Sequence, residues 1–133
     1  MIYALDTNII ISLLNNNERV IVNRDTAIES GARIIIPPIV NYEIRRGFLY
    51  KSSPKKEMMY LALVGHYGIG EMIAEMWERS AGIYAELRHK CFDIGDADIF
   101  IAAFCLVNDL TLVTQNIQHF KMIDELRFVD WTE

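Results

Sequence analysis

The sequence contains no apolar run of the about 18 residues needed to cross a bilayer, so we expect no membrane-spanning segment. Its first residues have neither a basic region nor a cleavage site, so we expect no secretion signal. Cysteine is scarce, and the spacing of Cys91 and Cys105 fits neither a zinc site nor a redox motif. We therefore expect two reduced thiols, with Cys105 in the core, in a cytoplasmic protein.

Positive charge and histidine are also scarce. The chain has 13 Lys and Arg against 18 Asp and Glu, and the net charge of −5 argues against a protein that coats DNA with a basic surface. None of the three histidines, His66, His89 and His119, has a metal-binding spacing, so no chemistry is assigned to them. Acids concentrated at a metal site would still suit a nucleic-acid enzyme.

Apolar residues, by contrast, are abundant. They make up 52% of the 133 residues, which is too many for a disordered chain and enough to build a core. The length suits a single domain spanning residues 1–133. The composition therefore predicts one folded domain.

Short apolar segments alternate with segments of helical periodicity along the whole chain. Strands are predicted at residues 2–5, 33–36, 63–67, 110–114 and 127–129. Helices are predicted at residues 9–14, 18–30, 39–50, from 54 onwards, 71–90 and 96–107, with a short helix or turn at 120–123. Thr7 or Asn8 is expected to cap the first helix. This alternation predicts an α/β fold with a mostly parallel central sheet of four to five strands and helices on both faces.

Two acids precede the most apolar stretch of the chain. Asp96 and Asp98 stand just before residues 99–107, whose composition predicts a buried helix. Asp96 suits the N-cap, because its side chain can accept free backbone N–H groups of the first turn. Asp98 would then lie in that first turn, where the helix dipole favours negative charge. The two acids are either a cap with a spare charge or part of a cation site, and the cap is the preferred role for Asp96.

A third acid lies on the inner face of the predicted helix 39–50. Glu43 shares this face with Val40, Ile44 and Phe48 at helical spacing. A carboxylate among apolar neighbours is costly unless it is paired or binds a metal. Glu43 is therefore either half of a buried ion pair with an arginine or a metal ligand.

Polar residues follow several of the predicted strands. Asp6 follows the first strand, Glu43 follows the second by about one helical turn, and Asn116 follows the strand at 110–114. Because sites in such sheets form at the carboxyl ends of parallel strands, we expect these residues to converge with Asp98. Crowded carboxylates repel one another, and Mg²⁺ or Mn²⁺ bound through oxygen would remove that repulsion. Such a cation suggests hydrolysis of a phosphodiester without a covalent protein nucleophile.

The segments that carry these residues resemble those of the PIN-domain nucleases, and among them the VapC-like toxins of toxin–antitoxin pairs. The resemblance covers essentially the whole chain and rests on residues 5–8 (LDTN), 41–47 (NYEIRRG), 94–103 (IGDADIFIAA), 110–120 (LTLVTQNIQHF) and 128–131 (FVDW). It implies a sheet with helices on both sides, a Mg²⁺ or Mn²⁺ cofactor, cleavage of RNA and an antitoxin protein as partner.

The resemblance also implies roles for the acids and for the residues beside the first of them. Asp6, Glu43 and Asp98 match the acidic metal ligands of the family, which makes them the candidate catalytic residues. Thr7 and Asn8 match the residues that orient the first acid.

The chain departs from part of the family at the fourth position of the site. Thr114 matches the hydroxyl near that position, but the position itself holds Asn116, where many members have an acid and many toxin-like members have Asn. An amide oxygen can orient a water or bind a metal weakly, but it adds no charge. The number of metals, one or two, therefore stays open, and Asp96 is the residue that could supply the missing charge.

Three classes of function are compared. The leading hypothesis is a metal-dependent endoribonuclease that acts as a toxin, with an RNA substrate, a cognate antitoxin and a homodimeric state. The second is a PIN-fold protein-binding module with a weakened or inactive metal site, which only Asn116 favours. The third is a phosphotransfer domain. Asn8 stands where a haloacid-type phosphatase needs a second Asp, and Tyr3-Ala4-Leu5 lacks the acidic pair of a receiver domain.

Overall fold

Four strands form the central sheet in the computed structural model, which describes all 133 residues. They are β1 (Ile2–Leu5), β2 (Arg33–Ile35), β3 (Thr111–Val113) and β4 (Arg127–Val129). The order across the sheet is β2-β1-β3-β4, and every neighbouring pair is parallel. Tyr3 of β1 pairs with Ile34 on one side and with Thr111 on the other. The predicted parallel sheet is thus confirmed, with four strands.

Seven helices connect and cover the strands. They are α1 (Thr7–Leu14), α2 (Glu18–Glu29), α3 (Pro38–Tyr50), α4 (Pro54–Tyr67), α5 (Ala74–His89), α6 (Asp96–Val107) and α7 (Ile117–Phe120). All three residues of β3 are buried, although successive side chains of a strand point to opposite faces. Both faces of the central sheet are therefore covered. None of the seven helices has the length and apolarity needed to cross a membrane.

One cluster of 29 buried apolar residues forms the core. Helix α6 lies within it, because every side chain from Ile101 to Cys105 is buried, as the apolar run in the sequence predicts. Cys105 is thus a core thiol, whereas Cys91 is exposed, and neither forms a disulfide. The buried helix fixes the position of its own first turn, which carries Asp98.

The strand predicted at residues 63–67 is wrong. These residues continue α4, which ends at Gly68 with a φ of +78°, a conformation that glycine adopts without strain. The only pairing nearby is a single parallel bridge between Ile36 and Ile69. Gly70 then passes the core so closely that an added Cβ would clash with the ring of Phe104. The chain crosses the sheet edge here without forming a strand.

Helical spacing over residues 71–90 predicts an inner stripe of Ile73, Met76, Trp77, Ser80, Tyr84 and Leu87, but the inner face of α5 differs from it. The buried residues of this helix are Met76, Ser80, Ile83 and Leu87. Ile73, Trp77 and Tyr84 are exposed, although the indole ring of Trp77 packs edge-on against Phe100 with 5.0 Å between ring centroids. The helix is amphipathic as predicted, but its large aromatic side chains lie outside the core.

Candidate active site

Asp6 lies between the end of β1 and the first residue of α1. Its backbone N–H donates to the carbonyl of Val113 at 2.9 Å, so the parallel hydrogen-bond pattern extends to the acid itself. Its Oδ1 accepts the backbone N–H of Thr7 at 2.7 Å, which makes Asp6 the N-cap of α1. The expected cap, Thr7 or Asn8, is therefore wrong, because the helix begins at Thr7, two residues before the predicted start. The side chain of Asp6 is almost fully buried, with 3% of the residue exposed.

Hydrogen-bond donors surround the other carboxylate oxygen of Asp6. The hydroxyl of Thr114, directly after β3, donates to Oδ2 at 2.7 Å. The side-chain amide of Asn8 donates to the same oxygen at 3.4 Å, and its Oδ1 accepts the backbone N–H of Gln115 at 3.2 Å. The residues expected to orient the first acid therefore contact it.

Glu43 projects from α3 toward the start of α1. The hydroxyl of Thr7 donates to Oε1 of Glu43 at 2.6 Å, so Thr7 contacts two acids, Asp6 through its backbone and Glu43 through its side chain. Arg46 lies 3.6 Å from Oε2, with 59% of its side chain exposed against 19% for Glu43. The buried ion pair with an arginine, one of the two roles predicted for Glu43, is therefore absent. The contact with Arg46 is a long ion pair at the surface.

Asp98 lies in the first turn of α6, and Oδ2 of its partly buried carboxylate is 2.8 Å from Nδ1 of His119. The predicted N-cap role of Asp96 is wrong. Gly95 is the N-cap, and α6 begins at Asp96 itself, whose exposed side chain makes no hydrogen bond. The extended backbone of Gly95 (φ −66°, ψ 155°) starts the helix without a side-chain cap.

Asn116 is the N-cap of the short helix α7. Its backbone N–H donates to the hydroxyl of Thr114 at 2.9 Å, which places Asn116 one hydroxyl away from Asp6. Its half-buried side chain makes no hydrogen bond to the protein. The amide is therefore free to bind a water or a ligand.

Sequence reasoning missed His119. No metal-binding spacing singles it out, and its contact with Asp98 depends on how α7 packs against α6. The one sequence signal is its position three residues after Asn116, on the first turn of a helix that follows a strand ending at the site.

Burial and charge act together on Asp6. Burial raises the pKa of its carboxyl group, the hydrogen bonds from Thr114 and Thr7 lower it, and the charges of Asp98 and Glu43 raise it again, to a pKa of about 6. Burial, followed by the charge of Asp6, also raises the pKa of the Cys105 thiol, so this thiol is not a reactive nucleophile. Asp98 and Glu43 thus both lie close enough to Asp6 for their charges to act on its carboxyl group.

The side chains present fit a hard divalent cation. The converging donors are carboxylate, amide and hydroxyl oxygens, and neither thiol forms a hydrogen bond with them. No three His, Cys, Asp or Glu side chains form a ready-made metal cage. Mg²⁺ does not need such a cage, because it keeps several waters and binds through one or two carboxylates. An open set of oxygen donors therefore suits Mg²⁺ or Mn²⁺ better than zinc.

A cleft of about 300 Å³ lies beside Glu43, between α1 and α3. Its walls include Thr7 and Glu43, the apolar side chains of Ile44 and Phe48, and the exposed Lys51. The cleft connects the acidic centre with a partly apolar surface.

The chain is thus an α/β domain with a parallel sheet, in which acids that follow β1 and lie on α3 and α6 come together. The sequence profile of the PIN domain matches residues 3–126, so the chain belongs to the PIN-domain family. "Ribonuclease VapC2" of Rickettsia felis is 31% identical over 134 residues, which are 98% of each chain. "Ribonuclease VapC1" of Haemophilus influenzae strain R2866 is 29% identical over the full length of both chains.

Solved structures show the same similarity. VapBC2 from Rickettsia felis, bound to a DNA fragment from its promoter, aligns with a TM-score of 0.90 and 28% identity over 98% of this chain and 99% of the other. VapBC-1 from nontypeable Haemophilus influenzae aligns with a TM-score of 0.88 and 26% identity over the whole of both chains. The PIN fold of the chain is therefore shown over its whole length.

Proposed function

We propose that this chain is a metal-dependent endoribonuclease and the toxin of a toxin–antitoxin pair. The observation that carries the proposal is Asp6, a buried acid whose pKa rises to about 6 through burial and the charges of Asp98 and Glu43. Acids with strongly shifted pKa values mark functional sites, and a cation bound between these acids would offset the repulsion of their charges. The full-length relatives named ribonucleases support RNA as the substrate.

Neighbouring residues hold the acids by hydrogen bonds. Asp6, Asp98 and Glu43 would hold the cation, which is Mg²⁺ or Mn²⁺, and divalent-metal dependence is general among VapC ribonucleases of this family. When bound, the cation would supply activation of a water and stabilisation of charge on the phosphodiester. Thr114 and Thr7 hold the carboxylates in position.

The amide of Asn116 has no partner in the protein, and we propose that it orients a water beside the acids. A neutral amide there favours one tightly held cation over two, because it adds no charge to offset a second.

The proposed partner is an antitoxin that covers the outer face of α1, α3 and α4. Large apolar side chains are exposed there, with Tyr50 at 94%, Leu49 at 78% and Met58 at 73%. Exposed apolar patches mark surfaces that another protein covers. This face adjoins the cleft beside Glu43, so an apolar segment of the antitoxin would also obstruct the acids. An antitoxin that binds DNA fits the acidic balance of this chain.

The homodimer stays a prediction, for which the exposed side chains of α5 are the available surface. The cytoplasm is the expected compartment, because cellular RNA is the proposed substrate.

The test is incubation of the purified protein with total cellular RNA in Mn²⁺, Mg²⁺ or EDTA, followed by mapping of new 5′ ends. We expect discrete cleavage that EDTA abolishes and that Asp98→Asn lacks. Asp93→Asn is the matched control, because Asp93 is a highly exposed acid shortly before the same helix. Cleavage unaffected by EDTA or by Asp98→Asn would contradict the proposal. A folded protein that cuts no RNA but binds the product of a small adjacent gene would favour the binding-module alternative.

A further inference from the structure

His119 is attached to the acidic centre at two points. Its Nδ1 lies 2.8 Å from Oδ2 of Asp98, and its backbone N–H donates to the carbonyl of Asn116 at 3.0 Å. Asn116 in turn donates to the hydroxyl of Thr114, which donates to Asp6. A continuous chain of hydrogen bonds therefore runs from Asp6 to Asp98 through α7.

Helix α7 is short but firmly anchored. Phe120, next to His119, is completely buried. The hydroxyl of Thr114 accepts the backbone N–H of Asn116, the N-cap residue of the helix. His119 itself is partly exposed, with 38% of its side chain accessible. The anchoring residues fix the backbone, so the imidazole can act on Asp98 without carrying the packing of the helix.

We propose that His119 is a positioning residue of the cation site, an inference that rests on the proposed function. Its Nδ1–H donates to Oδ2 of Asp98 and leaves Oδ1, which has no hydrogen-bond partner in the protein, for the cation. Helix α7 thereby fixes the position of Asp98 relative to Asp6. Partners that orient a ligating side chain in this way contribute strongly to metal affinity.

The competing explanation is a purely structural ion pair. Partly exposed pairs contribute little to stability, so removal of His119 should leave the fold almost unchanged. A loss of cation affinity in a variant of unchanged stability would therefore distinguish positioning from structural support.

The experiment measures Mn²⁺ affinity by calorimetry and stability by thermal melting in EDTA. We expect His119→Ala to weaken Mn²⁺ binding by about tenfold or more, the range found for such partners, with little change in melting temperature. His119→Asn should recover most of the affinity, because its amide nitrogen is attached to Cγ as Nδ1 is. His89→Ala is the control, since His89 is exposed and makes no side-chain hydrogen bond.

The double variant with Asp98→Asn tests whether His119 acts through Asp98. If it does, adding His119→Ala to Asp98→Asn should cause no further loss of affinity, because coupled residues are not additive. Unchanged Mn²⁺ affinity in His119→Ala, additive losses, or an unfolded His119→Ala would each overturn the inference. A wild type that binds Mn²⁺ and cuts RNA in those cases leaves the proposed function standing. A wild type that does neither overturns both.

Discussion

The hydroxyl of Thr114 donates a 2.7 Å hydrogen bond to Oδ2 of Asp6, although the two residues are 108 positions apart in the sequence. They meet because β1 and β3 are adjacent parallel strands, and each residue directly follows its strand. The same hydroxyl accepts the backbone N–H of Asn116. One buried oxygen atom thus joins the first acid to the segment that carries Asn116 and His119.

Thr114→Val is expected to destabilise the protein by about 2 kcal/mol, because it leaves buried polar groups without a partner. Asp6 loses its shortest side-chain donor, and the N–H of Asn116 loses its acceptor. Urea unfolding in EDTA measures the change. Thr111→Val, three residues earlier and within β3, is the matched control, since Thr111 is also buried but makes no side-chain hydrogen bond and should tolerate valine. Equal effects of the two substitutions would contradict the role assigned to Thr114.

The charge of Asp6 should make the metal-free protein less stable as the pH rises. The folded pKa of about 6 lies above the ordinary aspartate value of 3.8, so the folded state binds more protons than the unfolded state between these pH values. Stability therefore falls as the pH rises through this window, by up to roughly 3 kcal/mol once Asp6 is fully ionised. Asp6→Asn removes this dependence.

The measurement is urea unfolding of both proteins in EDTA across this pH range. The free energy of unfolding of Asp6→Asn relative to wild type should increase with pH, whatever constant offset the lost hydrogen bonds introduce. Saturating Mn²⁺ should stabilise the wild type most at neutral pH. If the difference in the free energy of unfolding between the two proteins stayed constant with pH, the pKa of Asp6 would not be raised in the folded state.

The sequence was sufficient to predict the convergence of the acids, because alternating strands and helices predict a parallel sheet, and the segments that end at Asp6 and Thr114 then share one edge of it. It was insufficient where local preference and packing disagree. Asp96 has the better side chain for a cap, but the backbone of Gly95 starts the helix one residue earlier. His119 could not be found, because its contact depends on the docking of α7 against α6, which no local pattern encodes.

Asp98→Asn is expected to abolish RNA cleavage and to weaken Mn²⁺ binding while leaving the metal-free fold as stable as wild type or more so. The substitution removes one of the charges that raise the pKa of Asp6, and with it part of the repulsion at the site. Asp96→Asn, two residues away on the same helix, should preserve Mn²⁺ affinity, since Asp96 is exposed and does not influence Asp6. Thermal melts measure the stability of both variants, and calorimetry measures their Mn²⁺ affinity. If Asp96→Asn lost as much affinity as Asp98→Asn, Asp96 would be a ligand.

Glu43→Ala is expected to abolish cleavage with only a small loss of stability. Its one arginine partner is Arg46, at 3.6 Å and largely exposed, and such surface pairs contribute about 0–1 kcal/mol. Arg46→Ala removes the same pair without touching the acid, so it should leave the fold stable. Denaturant unfolding of both variants tests this, and a loss of several kcal/mol in either would restore the interpretation of Glu43 as a structural ion pair.

Asn116→Asp is expected to strengthen Mn²⁺ binding without changing the fold. The side chain of Asn116 has no hydrogen-bond partner, and its backbone is held one hydroxyl away from Asp6. A carboxylate at this position adds a full charge to a site that already holds three acids, so the sign of its effect depends on whether a cation is close. Near a cation, the variant binds Mn²⁺ more tightly and is less stable than wild type only in EDTA.

Gln118→Glu, which adds the same charge at an exposed position of α7, controls for long-range attraction. If Asn116 serves only the turn before α7, aspartate replaces it without effect on affinity, because both residues suit an N-cap. Equal Mn²⁺ affinity in wild type and Asn116→Asp would remove Asn116 from the site and leave a centre of three carboxylates.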